Sequence, residues 1–442
     1  MFDLLIQNVL VVDTADDSAA IRASHDIAIG GNRIVAVQPS GQIAPDVAAN
    51  LIDGSGMAAL PGLINTHAHA SMVLLRGSAE DVPIDAWFND YIWAMERNLT
   101  PDDVYWGAML ALAEMIESGV TTVADHYFAM DRVAEAIATS GMRGHLAPTM
   151  FGGDPSAELQ QAADFAARWH GAAGDRIRVW LGPHAPYTCS AEFLGQVAIE
   201  AKRLGLGCHI HVAETAEQVQ RSKEQHGVTP VRLLQQLGLL DQPLIAAHAA
   251  HVSADDIAIL ADHGAGVAHC PKTFLKLASG IAPVIAMRER GVAVGLGSDG
   301  AASNNTLDIW EQMRLAALLQ KHEQHDARAL PVGAALALAT ADGARVVGQS
   351  DVLGQIAPGY LADLILVRLD GSHMQPIHDV RAALVYSARS SDVDTVIVDG
   401  KLLMRQRRLL TLDKAEILRE VNARIDRIRQ RDGDDRVQTY HA

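Results

Sequence analysis

Hydrophobic and polar positions follow two different patterns along this chain. Short apolar runs separated by polar turns occur near the start and again near the end, which is typical of β-strands joined by hairpins. The runs cover residues 4–12, 26–29, 33–37, 354–356, 362–367 and 393–400. We therefore predict a small β-sandwich domain built from both chain ends, residues 1–58 and 353–410, with a charged helix and tail over residues 411–442.

The middle of the chain alternates apolar runs with amphipathic helical patterns, which favours parallel βα units. The predicted strands lie near residues 60–67, 120–125, 144–150, 177–183, 207–213, 244–249, 266–270 and 293–298. The clearest helix covers residues 101–118, with Thr100 as its N-cap and Gly119 at its end. Eight strands predict an α/β fold, a (β/α)₈ TIM-like barrel over residues 59–352, with its active site where the strands end. An open doubly wound sheet is the alternative, but no GxGxxG or Walker signature follows a strand.

Composition narrows the class of protein. The 442 residues are 49% hydrophobic and carry a formal net charge of −17, which argues against binding to nucleic acid or to an anionic membrane surface. No apolar run approaches the roughly 20 residues of a membrane span, and the first residues show no signal-peptide pattern. The three cysteines are widely spaced, which suits a reducing compartment. We expect a cytoplasmic homo-oligomer that acts on a small molecule.

Polar side chains collect where the predicted barrel strands end. His67 and His69 close the first strand one residue apart, so their imidazoles project to the same side and can hold one metal ion. The other strand ends add further candidates, which are His184, His209, His211, Glu214, His248 and Asp299. A single histidine on an apolar strand is usually a core residue, but this many on one rim predict a site.

Three histidines and one carboxylate suit zinc, with iron as the alternative. His67, His69, His211 and Asp299 make such a set, although His209 shares the strand and face of His211 and is its rival. No lysine stands near the end of the fourth strand to bridge a second ion. We therefore favour one divalent metal.

The other polar residues of the rim predict acid–base chemistry. Asp299 can ligate the ion and also take the proton of an attacking water. His248 can orient that water or hold the developing oxyanion. Glu214 is placed to carry protons to a leaving nitrogen, or it is simply a carboxylate in the first turn of a helix.

Several segments together resemble the metal-dependent amidohydrolase superfamily, in its mononuclear aminohydrolase branch. They are PGLINTHAHASMVLLRG (61–77), SGVTTVADHYF (118–128), GPHAPYTCS (182–190), HIHVAET (209–215), AAHAAH (246–251), HCPKTFLKLASGIAPV (269–284) and GLGSDGAASNN (295–305). Within that branch the chain is most similar to the 5-methylthioadenosine/S-adenosylhomocysteine deaminases. The s-triazine hydrolases and guanine deaminases are relatives of that group.

The resemblance implies a role for each candidate residue. The metal ligands that it implies are His67, His69, His211 and Asp299. The catalytic residues that it implies are Glu214 and His248, and the chemistry described above adds Asp299. The substrate contacts that it implies are Glu96 and His184, and we expect Glu214 and Asp299 to contact the substrate as well. Trp87 either covers the bound substrate or is a buried core residue.

Two departures from the family pattern concern the substrate. Members that accept S-adenosylhomocysteine use arginines after the third strand, where residues 145–153 contain none. We therefore expect a preference for 5′-methylthioadenosine or adenosine. After the seventh strand the relatives carry Ser-Asn where this chain has Thr273-Phe274, and the aromatic ring either stacks on a flat substrate or fills space.

These features predict a hydrolytic deaminase that replaces an exocyclic amine on an electron-poor N-heterocycle with oxygen and releases ammonia. The expected substrate is 5′-methylthioadenosine or adenosine. The runner-up is deamination or dechlorination of another ring, such as a pterin, a guanine-like purine or an s-triazine. A metal-free scaffold on the same frame is a third hypothesis, and the presence of all four ligands and of Glu214 argues against it.

Overall fold

The computed structural model describes residues 1–431, so the end of the predicted tail over 411–442 lies outside the described residues. Its strands are β1 Leu4–Val12, β2 Ile21–Gly30, β3 Arg33–Pro39, β4 Leu51–Asp53, β5 Met57–Pro61, β6 Leu63–His69, β7 Val120–Tyr127, β8 Arg143–Met150, β9 Ile177–Val179, β10 Gly182–Pro183, β11 Cys208–Val212, β12 Leu244–His248, β13 Gly266–His269, β14 Ala293–Leu296, β15 Asp299–Gly300, β16 Leu364–Arg368, β17 Val393–Val398, β18 Lys401–Arg405 and β19 Arg408–Leu409. The longer α-helices are Pro101–Ser118, Met130–Ser140, Pro155–Trp169, Ala191–Leu204, Ala216–His226, Pro230–Gln236, Ala254–Asp262, Pro271–Lys276, Val284–Glu289, Ile309–Glu323, Val332–Ala339, Ala341–Val346 and Lys414–Asn422. Among these described residues, no helix has both the length and the apolar character needed to cross a lipid bilayer.

Strands from both ends of the chain share one sheet. Over residues 1–431 its order is β19-β18-β17-β16-β5-β1-β2-β3, and β4 pairs with β1. The junction is β5, which runs parallel to β1 and antiparallel to β16. Alternate apolar side chains of these strands, such as Ile6, Ile27 and Leu366, are fully buried. The strand-rich domain is therefore built from both ends, as predicted, while its boundaries at residues 58 and 353 stay a prediction.

The middle of the described chain closes into a barrel of eight parallel strand positions. Parallel pairing runs from β6 through β7 to β8, and from β11 through β12 and β13 to β14. The fourth position consists of β9 and β10, which pair with β8 and reach β11 through a bridge from Leu181 to Cys208. The eighth position is β14 followed by β15, which pairs with β6 and closes the ring. The (β/α)₈ prediction is confirmed.

Local signals explain where some elements begin and end. The helix Pro101–Ser118 starts at Thr100, whose hydroxyl forms a capping box with Asp103, and it ends at Gly119, where φ is 88°. The strand predicted over residues 354–356 is wrong, because these residues are irregular and Gly354 lies in a bend with a φ of 83°.

A buried ion pair joins the barrel to the composite sheet. Arg143 of β8 donates to Asp363, which precedes β16, through Nε at 2.9 Å and Nη2 at 3.1 Å. The two residues are 2% and 5% exposed. A two-pronged contact of this kind fixes orientation as well as distance. It therefore fixes the start of β16 relative to the barrel strand.

Candidate active site

The predicted metal ligands meet at the carboxyl ends of the barrel strands. His67 and His69 come from β6, His211 comes from β11 and Asp299 begins β15. Asp299 Oδ1 lies 3.4 Å from His67 Nε2 and 3.2 Å from His69 Nε2. His211 Nε2 lies 3.3 Å from His69 Nε2. Side chains from three strands therefore converge on one point.

Backbone carbonyl groups hold two of these imidazoles from behind. His69 Nδ1 lies 2.5 Å from the carbonyl oxygen of His126, and His211 Nδ1 lies 2.7 Å from that of His184. Because a carbonyl oxygen only accepts, each Nδ1 is the donor, and each Nε2 is directed to the centre. Contacts of this kind orient histidine ligands at metal sites.

His67 is held from behind by a second histidine. Its Nδ1 lies 2.8 Å from His209 Nε2. Its own Nε2 is buried, and within residues 1–431 it has no hydrogen-bond partner. Burial lowers the pKa of His67 to about 3, which favours the neutral ring. The geometry thus gives His209 a supporting position behind His67 and leaves His211 beside His69.

The electrostatics of Asp299 favour positive charge at this centre. Burial alone would raise the pKa of its carboxyl group, but the nearby imidazoles of His67 and His69 hold that pKa well below its ordinary value. Burial would likewise lower the pKa of His69, yet the contact with Asp299 raises it to about 9. A carboxylate that attracts positive charge among imidazole nitrogens is the donor set of a divalent metal site. The residues present therefore fit a divalent metal.

Two residues of the rim have backbone conformations that side chains rarely adopt. The angle φ is 75° at His248 and 57° at Asp299, both in the left-handed region. Such strain persists where the surrounding structure enforces it, and it is concentrated at functional sites. Both side chains are almost completely buried beside the cluster. Their orientation is therefore fixed by the fold.

Glu214 lies between His248 and the start of a helix. Its Oε1 is 3.8 Å from His248 Nε2, and its Oε2 accepts a hydrogen bond from Gln218 Nε2 at 3.4 Å. Gln218 also forms a capping box with Thr215 at the N-terminus of the helix Ala216–His226. The carboxylate is thus buried beside the histidine cluster, and it is not one of the groups that could hold the ion.

The pair Thr273-Phe274 lies behind the site. Ser303 donates a hydrogen bond to Asp299 Oδ2 at 2.9 Å, and its hydroxyl is 3.1 Å from that of Thr273. The Phe274 ring is 1% exposed, packs 5.7 Å from the His248 ring and is absent from the cavity wall. Of the two roles that the sequence left open for this aromatic ring, the structure supports space filling.

A cavity of about 340 Å³ opens above the cluster. Aromatic side chains dominate its wall, and they are Trp87, Phe88, Trp93, Tyr127, Phe128, Phe151 and Tyr187. Trp87 is 4% exposed and lines the cavity, so its burial is observed while its role in covering the substrate stays a prediction. The Phe151 ring stacks on the ring of His184 at 4.7 Å. A cavity of this size and character suits a flat ring with a few polar contacts.

Charged groups occupy one side of this wall. The Tyr127 hydroxyl donates to Glu96 Oε1 at 2.5 Å. Burial raises the pKa of Glu96 to about 7, although the hydrogen bond from Tyr127 acts in the opposite direction. Arg97 follows Glu96 and is the one arginine or lysine that lines this cavity over residues 1–431.

The sequence pointed to several residues of this wall. The predicted catalytic and substrate-binding residues that line the cavity are Trp87, Glu96, His184, Glu214, His248 and Asp299. Their individual roles stay predictions. Sequence reasoning missed Tyr127 and Arg97. Tyr127 ends β7, so the rule that strand ends carry the site could have found it, whereas Arg97 lies just beyond the short helix Trp93–Glu96, away from any strand.

A histidine-rich centre at the carboxyl ends of an eight-stranded barrel defines the class of metal-dependent barrel hydrolases. The chain belongs to the amidohydrolase family, whose model matches residues 58–403. A 5-methylthioadenosine/S-adenosylhomocysteine deaminase from Desulforudis audaxviator is 47% identical over 420 residues, covering 94% of this chain and 97% of the relative.

Solved structures agree with this assignment. A crystal structure of an adenosine deaminase from Xanthomonas campestris with bound zinc has a TM-score of 0.93 and 35% identity, covering 97% of this chain and 99% of that one. An atrazine chlorohydrolase from Arthrobacter aurescens in complex with zinc has a TM-score of 0.88 and 28% identity, covering 96% of this chain and 100% of that one.

Proposed function

We propose that this chain is a hydrolytic deaminase of adenine nucleosides that converts 5′-methylthioadenosine or adenosine and water to the inosine product and ammonia. The observation that carries the proposal is the cavity wall, in which Glu96, His184 and Glu214 surround the histidine and aspartate cluster. The name and 47% identity of the relative from Desulforudis audaxviator support the same reaction. The zinc-bound adenosine deaminase from Xanthomonas campestris supports it independently.

One zinc ion is the proposed cofactor, held by His67, His69, His211 and Asp299. The fit rests on the mutual approach of His67, His69 and His211 and on Asp299, which lies close to His67 and His69 and also groups with His67 and His248. The buried Nε2 of His67, which has no hydrogen-bond partner within residues 1–431, adds to it. When bound, the ion supplies the Lewis acidity that makes water a nucleophile near neutral pH.

The protein's own groups move the protons. Asp299 accepts a proton from the attacking water, and its Ser303 contact keeps Oδ1 turned toward the cluster. Glu214 gives a proton to the ring nitrogen beside the amine-bearing carbon. The proton that Asp299 accepted then passes to the amine, which leaves the tetrahedral carbon as ammonia, while the hydroxyl on that carbon returns a proton to Glu214 as the carbonyl group forms. His248, 3.8 Å from Glu214, stabilises the negative charge that develops on the incoming oxygen. His184 and Trp87 hold the flat ring.

A substrate screen tests this proposal. Purified enzyme is assayed for ammonia release from 5′-methylthioadenosine, adenosine, S-adenosylhomocysteine, a pterin, guanine and an aminated s-triazine. We expect turnover of 5′-methylthioadenosine and adenosine, and loss of that turnover in Glu214→Gln. Enzyme that rejects both nucleosides while it deaminates a pterin, guanine or the triazine would contradict the nucleoside assignment and favour the runner-up.

A further inference from the structure

We infer that Tyr127 positions the Glu96 carboxylate to accept hydrogen bonds from both ribose hydroxyls of the substrate. This contact would set the preference for a ribonucleoside over a nucleoside that lacks the 2′,3′-diol. The inference rests on the proposed function, since it concerns the same substrate. Tyr127 is a positioning residue in this scheme, because its hydroxyl is committed to Glu96.

The bond from Tyr127 to Glu96 connects a rigid strand to the segment that covers the barrel. Tyr127 is the last residue of β7, and Glu96 is the last residue of the short helix Trp93–Glu96. The Tyr127 ring is 3% exposed and stacks on Phe128 with centroids 4.2 Å apart. The strand therefore fixes the position of the hydroxyl, and the 2.5 Å hydrogen bond fixes the carboxylate in turn.

The hydrogen bonds of this pair leave room for a diol. Over the described residues, Tyr127 is the one hydrogen-bond partner of the Glu96 carboxylate. Burial raises the pKa of the Tyr127 phenol well above its ordinary value, so this group stays a donor. An ionised carboxylate offers about four acceptor positions. Tyr127 uses one of them, and the others remain for two hydroxyls of a ligand in the cavity that Glu96 lines.

Tyr127 also favours the ionised form that a diol needs. Burial raises the pKa of Glu96 to about 7, and the hydrogen bond from Tyr127 opposes that rise. A protonated Glu96 would present an O–H donor to the ribose, whose two hydroxyls need acceptors for their own protons. Without the Tyr127 hydroxyl, the carboxylate would lose both its fixed orientation and part of its acceptor character.

The test compares adenosine with 2′,3′-dideoxyadenosine. We expect Tyr127→Phe to lower the ratio of their kcat/KM values roughly five- to twentyfold, since hydrogen bonds to charged groups are worth more than neutral ones. The kcat/KM for the dideoxy substrate should fall much less than that for adenosine. Tyr360→Phe, at a half-buried tyrosine of the strand-rich domain that donates to the Ser350 carbonyl away from the cavity, is the matched control. The double variant Glu96→Ala/Tyr127→Phe should match Glu96→Ala alone, because the two changes remove one contact.

The outcomes separate this inference from the proposed function. An equal loss on both substrates, or an unchanged ratio, overturns the role of Tyr127 even if Glu96→Ala abolishes the preference. Wild-type enzyme that treats the two substrates alike, or that rejects adenosine, instead overturns the proposed ribose contact or the proposed function. Should Tyr127→Phe fail to fold, 3-fluorotyrosine at position 127 keeps the ring and alters the acidity of the phenol. The ratio must then change, and an unchanged ratio overturns the inference.

Discussion

His67 Nδ1 and His209 Nε2 lie 2.8 Å apart in the buried floor of the site. The contact leaves His67 Nε2 directed to the cluster, where Asp299 Oδ1 is 3.4 Å away. A histidine of β11, on the opposite side of the barrel from β6, thus sets the orientation of a proposed ligand without reaching the centre itself.

From this contact we predict that His209→Gln lowers metal affinity about 10–100-fold, the usual effect of losing a group that orients a ligand. Competition with a chelator, followed by elemental analysis, measures the affinity. His145→Gln is the control, because His145 is also a buried strand histidine but is bonded to Gln349, away from the cluster. Equal affinity in His209→Gln and wild type would contradict the orienting role.

The cluster should hold one equivalent of metal, and the His211→Ala variant should lose both metal and turnover. The reason is that His211 Nε2 lies 3.3 Å from His69 Nε2 at the point where the ligands converge. Elemental analysis of the purified proteins measures the stoichiometry. Two tightly bound ions per active chain would contradict a mononuclear site.

Glu214→Gln should retain metal and fold while kcat falls roughly 10²–10⁴-fold, the range of general acid–base catalysis. Glutamine keeps the size of the side chain and its partner Gln218 but cannot deliver a proton. Steady-state kinetics and elemental analysis are measured on the same preparation. Glu217→Gln, three residues along and paired with Arg221, serves as control, and near-normal turnover in Glu214→Gln would refute the assignment.

Arg97 should determine how well the enzyme uses substrates that differ in their 5′ substituent. We expect wild-type enzyme to prefer 5′-methylthioadenosine to S-adenosylhomocysteine, because aromatic groups dominate the wall and Arg97 is the one arginine or lysine that lines it within residues 1–431. Arg97→Met should lower kcat/KM for S-adenosylhomocysteine roughly tenfold, about the value of one hydrogen bond to a charged group. It should change the value for 5′-methylthioadenosine less than about twofold. Equal kcat/KM values for both substrates in the wild type, unchanged in Arg97→Met, would contradict this assignment. Arg203→Met, which changes a surface arginine paired with Glu200, is the control.

Breaking the ion pair between Arg143 of the barrel and Asp363 of the composite sheet should lower the stability of the fold. Arg143→Met leaves the Asp363 carboxylate buried without its partner, for which we expect a loss of about 3–5 kcal/mol in the free energy of unfolding. Arg168→Met, which removes an exposed partner of Asp131, should cost at most about 1 kcal/mol. Urea unfolding of both variants measures the difference, and similar midpoints would contradict the prediction.

The sequence was most informative for site residues that stand at the end of an apolar strand, because the strand pattern can be recognised locally. His67, His69, His248 and Asp299 could be assigned to the rim because each stands at the end of an apolar strand. The same periodicity could not separate His209 from His211, since residues two apart on a strand share a face. Their different surroundings come from other strands, because His209 contacts His67 of β6 across the barrel and His211 contacts the His184 carbonyl after β10.

Tertiary contacts account for what the sequence did not reveal. Tyr127 and Glu96 lie 31 residues apart and meet because a helical segment folds over the barrel. Phe274 was ambiguous for the same reason, since only packing decides whether a ring after a strand faces the cavity or the core.

The position of β5 has a consequence for synthesis of the chain. Leu60 pairs with Ile365 of β16, about 300 residues later. At the ribosome's rate of about 5–20 residues per second, the edge of β5 that pairs with β16 stays unpaired for roughly 15–60 s during synthesis. During that interval an apolar strand next to His67 and His69 has an open edge, which is a template for pairing between chains. Aggregation of nascent chains, and its relief by a chaperone or slower expression, should therefore depend on when residues 364–368 leave the ribosome.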